Sequence, residues 1–447
     1  MGRILNLIYK DWYKDTHLPN GLTRFEVSKI NELLSKTKTD KSEVDMLIDL
    51  GLRPNCKIGP FLSTDLLKEF KTNFVRLEDV KDGEIYLYVI ELLHQTGLYR
   101  SLPQIPDEII DLVNQDRCFV IYDYEHEGQF DYDFFNQWYQ NCIIQEGYSH
   151  IKYNNFYVLT GDLNYDRQLG DDVEINFVPS LHFVELCGAE SIDILTGKKQ
   201  VSSKFKVPNI DEIDMSKKTK HFLSYNRNCQ KEHRKSLGAY FEHNKLWKNN
   251  HISFLKGSWT TDTIPNILPD MYLDACKRLD DMDIIELDTK HLEDKFGFGT
   301  SFTDRWEFYQ ETFLSVVSET LFDESIFLSE KICKPILSLH PFIIVGSPRI
   351  IEKLNELGFK TFEPFICENY DTVIEPEKRL QLVFDELDKF RNRPIEELKE
   401  WFESIKPILK HNQEVLLKIG KEKSSKVKFL EKLYDLCFNY RCIRYDW

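Results

Sequence analysis

A chain of 447 residues is too long for one ordinary hydrophobic core and calls for two or three domains. With 42% hydrophobic and 13% aromatic residues it is not a disordered chain, and a formal charge of −16 argues against a surface that tracks nucleic acid along its whole extent. No stretch approaches the ~18 apolar residues of a membrane span, and the N-terminus lacks a secretion-signal pattern, so the expected location is cytoplasmic.

The first hundred residues mix helix-like and irregular signals. "TRFEVSKINELLSKTK" spaces Phe25, Val27, Ile30, Leu33 and Leu34 as one helix face, with Thr23 as its cap, and carries no chemistry. From Asp82 the pattern alternates: strand "EIYLYVIEL", helix "PDEIIDLVNQ", strand "CFVIYDYE", helix "FDYDFFNQWYQNCIIQEG", strand "FYVLTGD". Such alternation is what a parallel α/β sheet requires.

The polar stretch Val207–Lys220 reads as a linker, after which a second alternation begins. "HFLSYN", "HISFLKG", "DIIELDT", "FLSVVSET", "PFIIVGSP" and "FKTFEPF" are strand-like; "KEHRKSLGAYFEHNKL", "SEKICKPILSLH" and "PRIIEKLNELG" are helical, the last closed by Gly358. The remainder is amphipathic, with Pro394 and Pro407 as expected helix boundaries. The expected division is 1–80, a mixed extension; 81–210 and 211–390, two Rossmann-like α/β domains; and 391–447, a helical tail.

Ten scattered cysteines without metal-ligand spacing are expected to be free thiols. Two short acid patterns, Asp131–Asp133 and Asp281–Asp283, have the Asp-x-Asp form that can hold a divalent cation, but such patterns are common by chance in an acidic chain and Asp131 and Asp133 open a predicted helix, where acids suit the dipole. No metal is therefore expected.

Between Val201 and Thr260 stand twelve lysines and arginines against five acids, an island suited to an anion. Further on, Ser329 is placed to cap a helix opening with Glu330 and Lys331, so free backbone N–H groups and the positive helix end would face the carboxyl edge of the preceding strand. A diphosphate fits there, with Lys331 on the phosphates, Lys334 one turn later, and Glu330 on ribose hydroxyls. Gly346, in "VGSP", offers a turn in which backbone can approach a ligand. His340 reads as a packed loop histidine.

"SVVSET", "FLSEKICKPILSLHPFIIVGSPRIIEKLNELGFKTF" and "FLSYNRNCQKEHRKSLGAYF" together resemble the donor-binding half of GT-B glycosyltransferases, in particular the fucosyltransferase-like group, over roughly residues 220–371. The resemblance implies two Rossmann-like domains facing a cleft, a tail crossing back onto the first domain, and metal-independent, inverting transfer of a sugar from a nucleotide diphosphate. The co-substrate would be a nucleotide sugar, GDP-fucose first to try, and the acceptor a glycan or other hydroxyl; no other cofactor is implied. Glu330 would hold the ribose, Lys331 and either Arg234 or Arg227 the diphosphate, and Glu319 the base or sugar.

The base that deprotonates the acceptor would come from the first domain, where an apolar strand delivers Glu125, His126 and Glu127 to its carboxyl end; Glu127 is favoured, His126 second. Asp162 and Asn164 would line the acceptor side. Two alternatives stay open: transfer to a modified DNA base, and a sugar-nucleotide-binding protein that has lost the chemistry.

Overall fold

The computed structural model describes residues 3–9, 69–91, 105–125, 128, 155–165, 176–198, 206–226, 231–254, 264–279, 281–282, 285, 287 and 305–444. They fall into two units, one of residues 1–180 with 423–447 and one of 181–422.

The first unit is built on six parallel strands: β1 (Arg3–Tyr9), β2 (Phe70–Arg76), β3 (Tyr86–Glu91), β4 (Cys118–Tyr124), β5 (Phe156–Thr160) and β6 (Asn176–Pro179), in the order β2-β1-β3-β4-β5-β6. The strands "EIYLYVIEL", "CFVIYDYE" and "FYVLTGD" stand where alternation put them. The stretch read as a mixed extension contributes β1 and β2, and β1 is an interior strand. Its partners begin at Phe70 and Leu87, so no local pattern marks the pairing.

Successive side chains go to opposite faces of a strand. Tyr86, Tyr88, Val120, Tyr122 and Tyr124 pack under α1 (Asp107–Asn114) through Ile109, Ile110 and Val113. Leu5, Leu7, Leu87, Ile121 and Leu159 face the other way, onto Val427, Leu430 and Leu433 of the last helix. Both faces are covered, as an all-parallel sheet demands.

The second unit opens with α2 (His182–Leu195) and carries a four-stranded parallel sheet of β7 (Lys220–Asn226), β8 (His251–Phe254), β9 (Thr312–Ser318) and β10 (Phe342–Val345). Its helices are α3 (Glu232–His243), α4 (Leu273–Leu279), α5 (Trp306–Glu311), α6 (Glu330–Leu337), α7 (Ile350–Glu356), α8 (Pro376–Arg391) and α9 (Ile395–Lys421); α10 (Ser425–Arg444) returns to the first unit. All of β9 and β10 is buried.

Several expectations are corrected here. "FKTFEPF" is irregular rather than a strand: Pro364 has no N–H to give a ladder, and the N–H and C=O of Lys360 pair with the Asn412 side chain instead. Of "DIIELDT", Ile285 makes one isolated antiparallel bridge to Phe254. The supposed linker is packed into the second unit, with Asp214 N–H on Gln310 and the buried Lys218 ammonium on the carbonyls of Tyr309 and Thr312.

Pro394 does cap α9, but the helix continues through Pro407. Leu398, Trp401, Phe402 and Ile405 before it and Leu409, Asn412 and Leu416 after it form one buried stripe. That burial, at ~1.5–3 kcal/mol per large apolar side chain, outweighs the ~3 kcal/mol a helix loses at an interior proline. Gly358 ends α7 as expected, at φ +91°, with Gly358 N–H on Asn355 O and Phe359 N–H on Leu354 O.

α2 and α9 meet backbone to backbone. A Cβ at Gly188 would lie 2.4 Å from Leu416 O, and one at Gly420 2.1 Å from the Gly188 carbonyl carbon. No rotamer relieves such a contact, so Gly420→Ala is expected to force the helices apart and cost ~1–3 kcal/mol in thermal or urea denaturation. An unshifted midpoint would mean the helices part freely.

Candidate functional site

The order of the second sheet is β10-β9-β7-β8. From β7 the chain passes to β8 on one side and later to β9 on the other, so the order reverses between β7 and β9. Open parallel sheets bind ligands outside the carboxyl ends at such a point, where the following helices leave in opposite directions. Here α3 follows β7 and α6 follows β9.

The carboxyl ends of those strands carry Tyr225 and Asn226 on β7 and Ser318 with Glu319 on β9. Asn226 donates to Arg234 O at 2.8 Å, joining the strand end to α3. The Arg234 guanidinium is buried and donates to the carbonyls of Glu319 at 3.0 Å and Ser318 at 3.3 Å. It therefore reaches the site through the main chain of β9.

His233, beside it, stacks on Phe322 and contacts Glu319 O at 3.0 Å. A carbonyl only accepts, so Nε2 carries the proton. Burial, helped by the adjacent Arg234 charge, depresses this imidazole to about 3, and it stays neutral. Lys231 donates to Thr320 O at 2.7 Å.

No local pattern singles out Lys231 and His233; both lie in the basic island, the signal the sequence carries for them. Across the switch point, Ser329 caps α6 as expected: its Oγ accepts the Lys331 N–H at 3.2 Å and donates its own proton to Glu319 Oε2 at 2.6 Å. Lys331 Nζ lies 2.8 Å from Glu330 Oε1, 3.2 Å from Thr320 Oγ1 and 3.3 Å from Ser329 Oγ. Lys334 sits over the Tyr225 ring, 5.4 Å from its centroid.

The two acids differ. Burial pushes the Glu330 carboxyl up, but the Lys331 ammonium and then Lys334 outweigh it and hold the group at about 2. Glu319 is raised, because it is 1% exposed and burial exceeds the pull of Lys331 and the Ser329 hydroxyl. Its Oε1 and the Ser318 hydroxyl are buried without a hydrogen-bond partner. Buried polar atoms of that kind mark places where a ligand or water completes the bonding.

Gly346 is in the group for a reason other than the one expected. Its φ is not left-handed; a Cβ there would meet Ile344 Cγ2 at 3.1 Å and Glu319 Cβ at 3.3 Å, so glycine leaves room for the Glu319 side chain. His340 is a core histidine, its Nε2–H on Thr312 O at 2.8 Å and its Nδ1 2.8 Å from Ser315 Oγ. The structure thus brings together Arg234, Glu319, Ser329, Glu330, Lys331 and Gly346, with Lys334 alongside. Arg227 lies outside the described residues.

In the first unit, His126, Glu127, Asp131 and Asp133 also lie outside the described residues. Glu125, just before them, is 1% exposed; its Oε1 lies 2.5 Å from Lys426 Nζ and its Oε2 accepts from Ser180 at 2.9 Å. Asp123 Oδ2 meets the same ammonium at 3.1 Å. Asp162 is buried and accepts the Asn164 N–H at 2.9 Å, forming a turn at the end of β5.

Among the described residues no helix is long and apolar enough to cross a membrane, and Cys118, Cys187, Cys276, Cys333 and Cys367 are free thiols. No protein-family model and no curated protein matches the chain. Among solved structures it is similar to T4 phage BGT in complex with UDP and Mn2+, at 10% identity and a TM-score of 0.34, over 97% of this chain and 99% of that one. It is also similar to an alpha1,3-fucosyltransferase, at 11% identity and a TM-score of 0.35, over 91% of each chain.

Proposed function

We propose that the protein is a glycosyltransferase that moves a sugar from a nucleoside-diphosphate donor to an acceptor hydroxyl, with the donor bound at the β7/β9 switch point. One observation carries the reading. A capped helix N-terminus, Lys331 and the acids Glu330 and Glu319 converge at the place where a parallel sheet receives nucleotides.

The chemistry follows from those groups. In a single displacement the acceptor oxygen forms a bond to the sugar C1 as the bond to the diphosphate breaks, inverting that carbon. The electrons leave with the diphosphate, where Lys331 and the first-turn N–H groups of α6 stabilise the growing charge without a metal. Glu330, held ionised, accepts from ribose hydroxyls. The acceptor proton passes to a general base, for which Glu127 is proposed first and His126 second.

The test is a calorimetric and thermal-shift screen of GDP, UDP, CDP, ADP and TDP, in EDTA and again with Mg2+. One diphosphate is expected to bind in EDTA and, at a hundredfold excess over its Kd, to add ~2.7 kcal/mol of apparent stability. The matching nucleotide sugar should then be hydrolysed slowly without acceptor; binding without any hydrolysis marks a binding protein. If no diphosphate binds, the reading fails.

A further inference from the structure

Glu319 has a place in the site that donor binding alone does not explain. Its carboxylate is the most buried charge of the constellation, one oxygen engaged by Ser329 Oγ and Thr320 N–H, the other without a partner. Lys331, the cation that acts on this carboxylate, is already committed to Glu330 at 2.8 Å and contacts Ser329 Oγ, the group that bonds Glu319.

We propose that Glu319 takes up a proton when a diphosphate binds at the α6 N-terminus, so that donor binding and protonation of this buried acid are one coupled event. The inference rests on the donor-site reading above. A diphosphate draws Lys331 to its own oxygens and brings further negative charge beside a carboxylate that water cannot reach. Two anions so placed cannot both stay charged at little cost, and the less solvated one is neutralised. The proton comes from solvent and converts Glu319 to the neutral acid, giving its free oxygen an O–H to donate.

The surrounding groups leave Glu319 as the one to respond. On α6, Glu330 is kept ionised by Lys331 and Lys334, and the Cys333 thiol, raised by its contact with Cys187 and by burial, already holds its proton. On α3, Arg234 is spent on the Ser318 and Glu319 carbonyls, and His233 stays neutral beside it. Lys231 is on Thr320 O, and the residue after β10 is Gly346. The sign is fixed: the bound state holds the extra proton, so affinity rises as pH falls through the window in which free Glu319 is ionised.

The experiment is titration calorimetry with GDP, and with UDP in parallel, at one pH in several buffers of different ionisation enthalpy, on the wild type and Glu319→Gln. The nucleotide's own phosphate ionisation is common to both and drops out of the difference. The wild type is expected to absorb up to one more proton per nucleotide than the variant, and to lose affinity by up to about tenfold per pH unit across its window while the variant does not. Equal proton counts in two proteins that both bind GDP or UDP would overturn the coupling and leave the donor site standing; a wild type that binds none of GDP, UDP, CDP, ADP and TDP sinks both. If Glu319→Gln does not fold, Ser329→Ala serves: losing the hydroxyl on Oε2 strengthens proton binding and moves the window to higher pH, and an unmoved window overturns the proposal.

Discussion

Lys331→Ala is expected to weaken nucleoside-diphosphate binding by about ten- to a hundredfold, the ~1.5–3 kcal/mol of a hydrogen bond to a charged group. Calorimetry on the diphosphate that the wild type selects measures it, and unchanged affinity would remove the lysine from the site. The same variant carries an internal check. Glu330 lies at about 2 because Lys331 and Lys334 overcome its burial, so its folded value is below the ~4.3 of an unfolded glutamate. A depressed acid contributes stability that is present above the unfolded value and lost as pH falls toward about 2. Removing Lys331 raises Glu330, so the variant should lose less stability than the wild type between pH ~4.5 and ~2. Denaturation midpoints across that range test this without any ligand.

The site was legible where its signal is local. Ser329 before Glu330 is a cap because a hydroxyl there meets the second N–H of the helix, and this pattern is complete within three residues. Alternation likewise located β3, β4, β5, β7, β8, β9 and β10. What escaped is held by partners distant in sequence. The carbonyls gripped by Arg234 stand 84 and 85 residues away, so nothing in "KEHR" shows that its arginine and histidine face inward onto β9. β1 pairs with strands that begin more than sixty residues later, and its seven residues look like any short apolar run. Gly346 suggests dihedral freedom in the sequence, yet its part in the fold is to leave room beside Ile344 and Glu319, a closeness the sequence cannot display. Pro407 marks a boundary only if propensity decides, and here the buried stripe of α9 decides.

The largest stability effect is expected at Lys426, where α10 meets the end of β4. Lys426, Asp123 and Glu125 are at most 3% exposed, and the one ammonium serves two carboxylates. Burial pushes the ammonium down, but Asp123 and Glu125 together overcome it and raise the group, so its stabilising share is whole below the ~10.4 of an unfolded lysine and is lost only in strong alkali. Asp123 is raised, by burial first and Glu125 second, so the folded state keeps a proton the unfolded chain has lost, and this group's share declines as pH rises above ~4. Lys426→Met keeps the stem and removes the charge, leaving two buried carboxylates unpaired, at a cost of ~3–5 kcal/mol at neutral pH. The loss should shrink as pH falls toward the ~4 of unfolded carboxylates, because protonating the two buried acids then costs progressively less, and Glu125→Gln added to Lys426→Met should recover part of it. Thermal denaturation at several pH values, with hydrogen exchange at Val120–Tyr124 to place the opening, reads both. A loss independent of pH would mean that Lys426 acts by packing alone. A pH-dependent loss would show that α10 is fastened to β4 by charge, at the strand end that leads into the 125–127 segment proposed to carry the base.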